Sequence, residues 1–280
     1  VTRRQRQMCI RDRITGDHDQ VTAALVTAGT KVEVDDATVT INDANATAIT
    51  AAELSAVGGA TLGTVTVTNA VAIEGTAAEV TAALVTAGTK VEVDDPTVNI
   101  TTTPTIGALN LIAAETTGVV TATLAADSLA NLAALNTAST DQITVTVNDA
   151  NAAALTAANL STLGGKTAGT VTVTNAVAIE GTAAEVTAAL VTAGTKVEVD
   201  DPTVNITTTP TIGALNLIAA ETTGVVTATL AADSLANLAA LNTAGTDQIT
   251  VTVNDANEAD LTAANSVSYT HLTLPTSNDV

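Results

Sequence analysis

The chain has 280 residues and a formal net charge of −20; 46% of its residues are hydrophobic, yet it holds one Tyr and no Phe or Trp. Nine Lys and Arg against 29 Asp and Glu exclude a nucleic-acid ligand, whose phosphates need cationic contacts, and disfavour an anionic membrane surface. Thr interrupts the Val, Ala, Leu and Ile content every few positions, so no stretch approaches the roughly 18 apolar residues of a membrane span.

The first segment, 1–13, "VTRRQRQMCIRDR", carries Arg3, Arg4, Arg6, Arg11 and Arg13 together with Met8 and Cys9. It has no apolar run of the kind a signal peptide requires. His18 follows in "GDHDQ", just before a helical pattern, and is expected to be a surface residue of that helix's cap region. Alternating apolar and Thr positions then predict short strands near Val65, Val91, Val119, Ile143 and Val171, at steps of 26, 28, 24 and 28 residues. Helices are predicted between them. Thr76 and Glu79 form a capping box before Val80, Ala83 and Leu84, and Thr182 and Glu185 repeat it. Thr103 is expected to be an N-cap with Pro104 in the first helical position. Asp127 is expected to cap a helix carrying Leu129, Leu132 and Leu135. Leu155, Leu160 and Leu163 mark a further helix stopped at Gly164, with Gly88 and Gly118 at the matching stops of two others. The last segment, 267–280, "VSYTHLTLPTSNDV", holds Tyr269 and His271 and again differs in composition.

The four steps close a block of 106 residues. Gly63–Asn159 aligns with Gly169–Asn265 at that shift with three differences: Ser139 against Gly245, Ala152 against Glu258, and Ala154 against Asp260. The opening passage from Val21 matches the one from Val80 at a shift of 59, so the first block is a shortened copy. Successive strand–helix–strand units pair in parallel through right-handed crossovers. The expected fold is therefore α/β: a solenoid of strand–helix coils of 24–28 residues with a parallel sheet, broadly like a leucine-rich repeat, spanning 14–266 between two tails. The alternative is a tandem of β-sandwich domains, against which the capped, Ala-rich helical runs count. Thin coils of small residues need no aromatics.

The strand at Val91 places Glu92 and Asp94 where its neighbours carry Thr, with Asp95 at the following turn; Glu33, Asp35, Asp36 and Glu198, Asp200, Asp201 are the equivalents. Such oxygen ligands suit calcium, although the spacing matches neither an EF-hand loop nor a GGxGxD repeat. The other reading is solvated turn carboxylates bonding their local backbone, and the "NDAN" stretches at Asn148 and Asn254 are read as turn chemistry too. Thr64, Thr66 and Thr68, with Thr121, Thr123, Thr144 and Thr146, are expected to stack into one Thr-x-Thr face, which resembles ice-binding solenoids. Sequons at Asn45, Asn99, Asn159 and Asn205 arise by chance in a chain so rich in Thr and Asn. Outside the two terminal segments there is one His, no Cys and no glycine-rich phosphate loop, which leaves no catalytic constellation, so no enzyme is expected.

The tails, through "RQRQMCIRDR" and "VSYTHLTLPTS", resemble sequencing-adapter read-through at the edges of metagenomic reading frames, and the natural chain is expected to continue beyond both. The body, through coils of the "GTAAEVTAALVTAG" type, resembles the Thr- and Ala-rich tandem repeats of large bacterial adhesins, S-layer-associated proteins and calcium-dependent secreted proteins. That resemblance implies an extracellular or cell-surface location and a non-enzymatic spacer or stalk. Its partners would be neighbouring repeats of a longer chain, with surface or matrix ligands bound by domains elsewhere. The alternative is a calcium- or surface-binding repeat module.

Overall fold

A computed structural model describes residues 13–255. They form two compact units, the first comprising 13–125 and 136–143, the second 126–135 and 144–255. The two expected tails lie outside the described residues except for Arg13, which opens a strand and belongs to the body.

The first unit contains β1 (Arg13–Gly16), α1 (His18–Leu25), β2 (Thr38–Ile41), β3 (Ala48–Thr50), α2 (Ala51–Gly58), β4 (Val65–Val67), β5 (Ala72–Gly75), α3 (Ala77–Leu84), β6 (Glu92–Val93), β7 (Thr97–Ile100), α4 (Ile106–Ala113) and β8 (Val120–Thr123). The second unit opens with α5 (Leu129–Leu132). Next comes β9 (Gln142–Val147), whose first two residues count with the first unit. It continues with β10 (Ala154–Thr156), α6 (Ala157–Gly164), β11 (Val171–Val173), β12 (Ala178–Gly181), α7 (Ala183–Leu190), β13 (Glu198–Val199), β14 (Thr203–Ile206), α8 (Ile212–Ala219), β15 (Val226–Thr229), α9 (Leu235–Leu238) and β16 (Gln248–Thr250).

In the first unit β1, β2, β4 and β6 form one sheet, and β3, β5, β7 and β8 lie side by side in another. In the second unit the corresponding rows are β9, β11, β13 and β10, β12, β14, β15, β16. Every registered strand pair among the described residues is parallel. The α/β expectation with parallel sheets holds, and the β-sandwich alternative fails, because its hairpins would pair antiparallel.

One expectation is corrected. Most repeats carry two strands before the helix, as β4, β5 and α3 show, where the spacing predicts a single strand per coil. The second strand is three or four residues long, too short for a period to show in sequence. Tertiary pairing creates it: Ile49 stands opposite Ile73, Ile73 opposite Val98, and Val98 opposite Val120. All four are buried, and each strand contributes one aliphatic side chain to a stack that the helices close with Leu54, Val80, Leu109 and Ile112. Each such burial stabilises by about 1.5–3 kcal/mol.

The caps divide. The Thr76–Glu79 and Thr182–Glu185 boxes are both complete, and each glutamate's pKa is lowered, first by the backbone N–H of its threonine and then by the hydroxyl. The cap of α4 is Thr105 rather than Thr103, so Pro104 precedes the helix. Ser128 rather than Asp127 caps α5; Asp127 instead accepts from the Ser128 N–H and from Asn131. None of the described glycines has a left-handed φ. Gly118 does not end a helix: a Cβ there would stand 2.3 Å from the Pro96 carbonyl oxygen, and only hydrogen fits that space. Gly224 repeats the contact with Pro202, and Gly63 makes it with Ala37. A Thr two residues earlier locks each approach. Thr116 donates to the Pro96 carbonyl at 2.7 Å and accepts from the Gly118 N–H at 2.8 Å.

Candidate functional site

The three acidic segments come first. Glu92 lies on β6 with Thr66 as its register partner, and Glu198 lies on β13 opposite Thr172. Both strands end their sheets, and charge on an end strand discourages further pairing. Asp94 and Asp200 are exposed in the bends that follow. Asp95 and Asp201 take left-handed backbone, φ 44° and 45°, which an Asp tolerates because its short side chain bonds nearby groups. Asp95 Oδ1 accepts from the Thr117 hydroxyl at 2.6 Å and its N–H at 3.3 Å; Asp201 does the same with Thr223 at 2.5 and 3.4 Å. At the equivalent segment of the shortened first copy, residues 32–36, no strand forms, Glu33, Asp35 and Asp36 are all exposed, and the Asp35 carbonyl accepts from the Leu62 N–H at 3.0 Å. Among the described residues no group of three or more His, Cys, Asp or Glu side chains stands close enough to hold a metal ion. The structure brings Asp95 to Thr117 and Asp201 to Thr223, and leaves the other carboxylates of these segments in solvent.

The "NDAN" stretch does more than turn the chain. Asp43 is 8% exposed; its Oδ2 accepts the His18 backbone N–H at 2.7 Å, and its Oδ1 lies 2.8 Å from His18 Nδ1. One block on, Asp149 accepts the Leu129 N–H at 2.7 Å, and after another block Asp255 accepts the Leu235 N–H at 2.8 Å. In each case the Asp satisfies a first-turn N–H of a helix that precedes it by 20 or 25 residues. An Asn on the next repeat braces the loop: Asn69 donates to the Asp43 carbonyl at 2.5 Å and Asn175 to that of Asp149 at 2.6 Å. Ala46 and Ala152, three residues after these aspartates, sit at φ 60° and 59°, a left-handed conformation unfavourable for alanine.

His18 is therefore no bare surface residue. Its side chain is 19% exposed and lies against Asp43, with Asp19 3.6 Å from Nε2. Burial works against the charged ring, but the Asp43 hydrogen bond and charge, joined by Asp19 and Glu53, outweigh it and raise its pKa. A pair of buried carboxylates has no signal in the sequence either. Asp141, 3% exposed, accepts the Val120 N–H at 2.8 Å through one oxygen and the Ala138 N–H at 2.8 Å through the other; Asp247 repeats this with Val226 and Ala244. In the neighbouring strand a backbone carbonyl fills that acceptor role, as Val119 does for the Val98 N–H at 3.0 Å.

The expected Thr-x-Thr face is divided. Thr66 has Thr40 and Glu92 as register partners in the first sheet, whereas Thr121 lies opposite Asn99 in the second. Among the described residues no helix is long and apolar enough to cross a membrane. No family model, curated protein or solved structure matches the chain.

Proposed function

We propose that the chain is a non-enzymatic spacer, an α/β solenoid segment of a large bacterial cell-surface or secreted adhesion protein. What supports this reading best is the recurrence of one connection. Asp43, Asp149 and Asp255 receive the first-turn N–H of the preceding helix at 2.7, 2.7 and 2.8 Å. A block that supplies the same acceptor to whatever helix precedes it can be added or removed without redesign. Nearest-neighbour stability of this kind tolerates changes of repeat number. The acidic, cysteine-free body fits an extracellular setting where solubility rather than redox chemistry is needed.

The test is block deletion and duplication. Removing residues 64–169 joins Gly63 to Thr170, the position equivalent to Thr64. The shortened protein should keep the same circular dichroism per residue and a cooperative melt. Its maximum dimension by small-angle scattering should fall by the same increment that one added block contributes. A dimension that stays constant as blocks are added would end the spacer reading.

A further inference from the structure

Two peptide bonds combine a disfavoured backbone with a reactive side chain. The chain has two Asp–Pro bonds, Asp95–Pro96 and Asp201–Pro202, one block apart. Four non-glycine residues among those described take a left-handed φ, and two of them are these aspartates, at 44° and 45°. The other two, Ala46 and Ala152, carry no reactive group. An Asp visits that region more readily than most residues. A residue before proline, however, is driven to extended backbone, with φ about −120°. A conformation disfavoured in this way persists only where its surroundings impose it, and such residues gather at functional sites.

The surroundings grip both sides of the bond. Thr117 donates its hydroxyl to Asp95 Oδ1 at 2.6 Å, and Thr116 donates to the Pro96 carbonyl at 2.7 Å. The Asp95 and Pro96 carbonyl oxygens both abut Gly118, 2.9 and 2.3 Å from where its Cβ would stand. Pro96 is buried, and Thr97 after it donates its N–H to the Val71 carbonyl at 3.1 Å. Asp201 and Pro202 repeat the arrangement with Thr222, Thr223 and Gly224. The first copy is the natural comparison: Asp36 precedes Ala37 rather than a proline, and it is not among the left-handed residues.

The chemistry follows from which groups are free. Asp95 is exposed, and its Oδ2 makes no hydrogen bond to another described residue. Proline has no N–H, so closure by attack of the next nitrogen on the side chain is barred. What remains is attack by the carboxyl oxygen on the carbonyl carbon of the same residue, an intramolecular step. As the Oδ2–C bond forms, the C–N bond to Pro96 breaks, and the carboxyl proton passes to the proline nitrogen. Asp95 is left as a five-membered cyclic anhydride, which one water opens to two carboxyl groups. The balance is hydrolysis of one peptide bond, and acid supplies the protonated carboxyl. Scission frees Asp95 from its left-handed backbone, so the fold favours a step that an unstrained Asp–Pro bond undergoes more slowly.

We propose that Asp95–Pro96 and Asp201–Pro202 are self-scission sites, cut in mild acid by their own aspartates, which divide the chain at an interval of one block. The inference goes beyond the spacer role, and its test is independent of length. The whole protein is held at the lowest pH at which circular dichroism shows the fold intact, beside the same protein unfolded in urea at that pH. Products are followed by mass spectrometry under denaturing conditions. Pieces ending at Asp95 and Asp201 and beginning at Pro96 and Pro202 are expected. Both cuts should run about tenfold faster in the folded protein, the acceleration that relief of one left-handed residue supplies. Asp95→Gly keeps the left-handed backbone and removes the carboxyl, so it should abolish the first cut and leave the rate of the second unchanged. Ala37→Pro builds a third Asp–Pro bond without a left-handed aspartate, and that bond should be cut no faster folded than unfolded. Cutting no faster in the folded protein, a first cut that survives Asp95→Gly, or equal folded-state acceleration at the bond after Asp36 would overturn the proposal.

Discussion

His18 shows how one contact alters a side chain's role. Alone in a polar pentapeptide it reads as exposed; folded, it is held by Asp43 through both its backbone N–H and its ring. Its raised pKa means that the folded state binds the proton more tightly than the unfolded chain. The resulting stabilisation is fully present below the unfolded value of about 6.5 and fades as pH rises through the folded value. Melting temperature should fall as pH rises above about 6.5, and this slope should vanish in His18→Gln. A slope unchanged in the variant would remove the His18–Asp43 pair as its source. Ala46 offers the opposite case, a residue at odds with its backbone. Ala46→Gly relieves the left-handed strain at φ 60° and should stabilise by about 0.5–1 kcal/mol in denaturant melts. Destabilisation would show that the glycine's extra freedom in the unfolded chain outweighs that relief.

At the scale of elements, helices with local punctuation were legible and contacts made across repeats were not. The capping boxes at Thr76 and Thr182 close within three residues, so their sequence signature and their geometry coincide. Gly118 was read as a helix stop because glycine after an apolar run commonly is one. Its reason is the Pro96 carbonyl more than 20 residues earlier in the chain. Gly118→Ala should cost about 2 kcal/mol or more, since backbone rather than a flexible side chain must move. Hydrogen exchange should accelerate first at Val98 and Val120 on the strands that meet there. A neutral Gly118→Ala would mean that the approach of the two repeats is loose. The second strands, β3, β5, β10 and β12, were missed for the same reason. Three or four residues carry no usable period, and only a neighbour's hydrogen bonds make them strands.

At the scale of the whole molecule, charge and repetition dominate. A chain at −20 with four Lys after Arg13 relies on few ion pairs. Lys90–Glu115 at 2.7 Å and Lys196–Glu221 at 2.6 Å link adjacent repeats, both partly exposed and so each worth little. Millimolar calcium is expected to leave the melting temperature unchanged, because Asp95 and Asp201 already bond threonines and Glu92, Asp94, Glu198 and Asp200 stay in solvent. A rise of several degrees would restore the calcium reading of these segments.

The amino-acid sequence by itself determined the 106-residue block, the α/β class with parallel strands, most helix positions and the absence of any need for aromatics. Each of these rests on spacing within about 30 residues or on composition. Only the tertiary structure decided that the Asn-Asp stretches hold the helix of the preceding repeat, that buried Asp141 and Asp247 stand in for missing strand carbonyls, and that the Thr rows divide between two sheets. Those outcomes depend on partners roughly one repeat away, brought together by burial of Val, Ile and Leu stacks. A single strand's period records which face is apolar; it holds no record of what the polar face will meet.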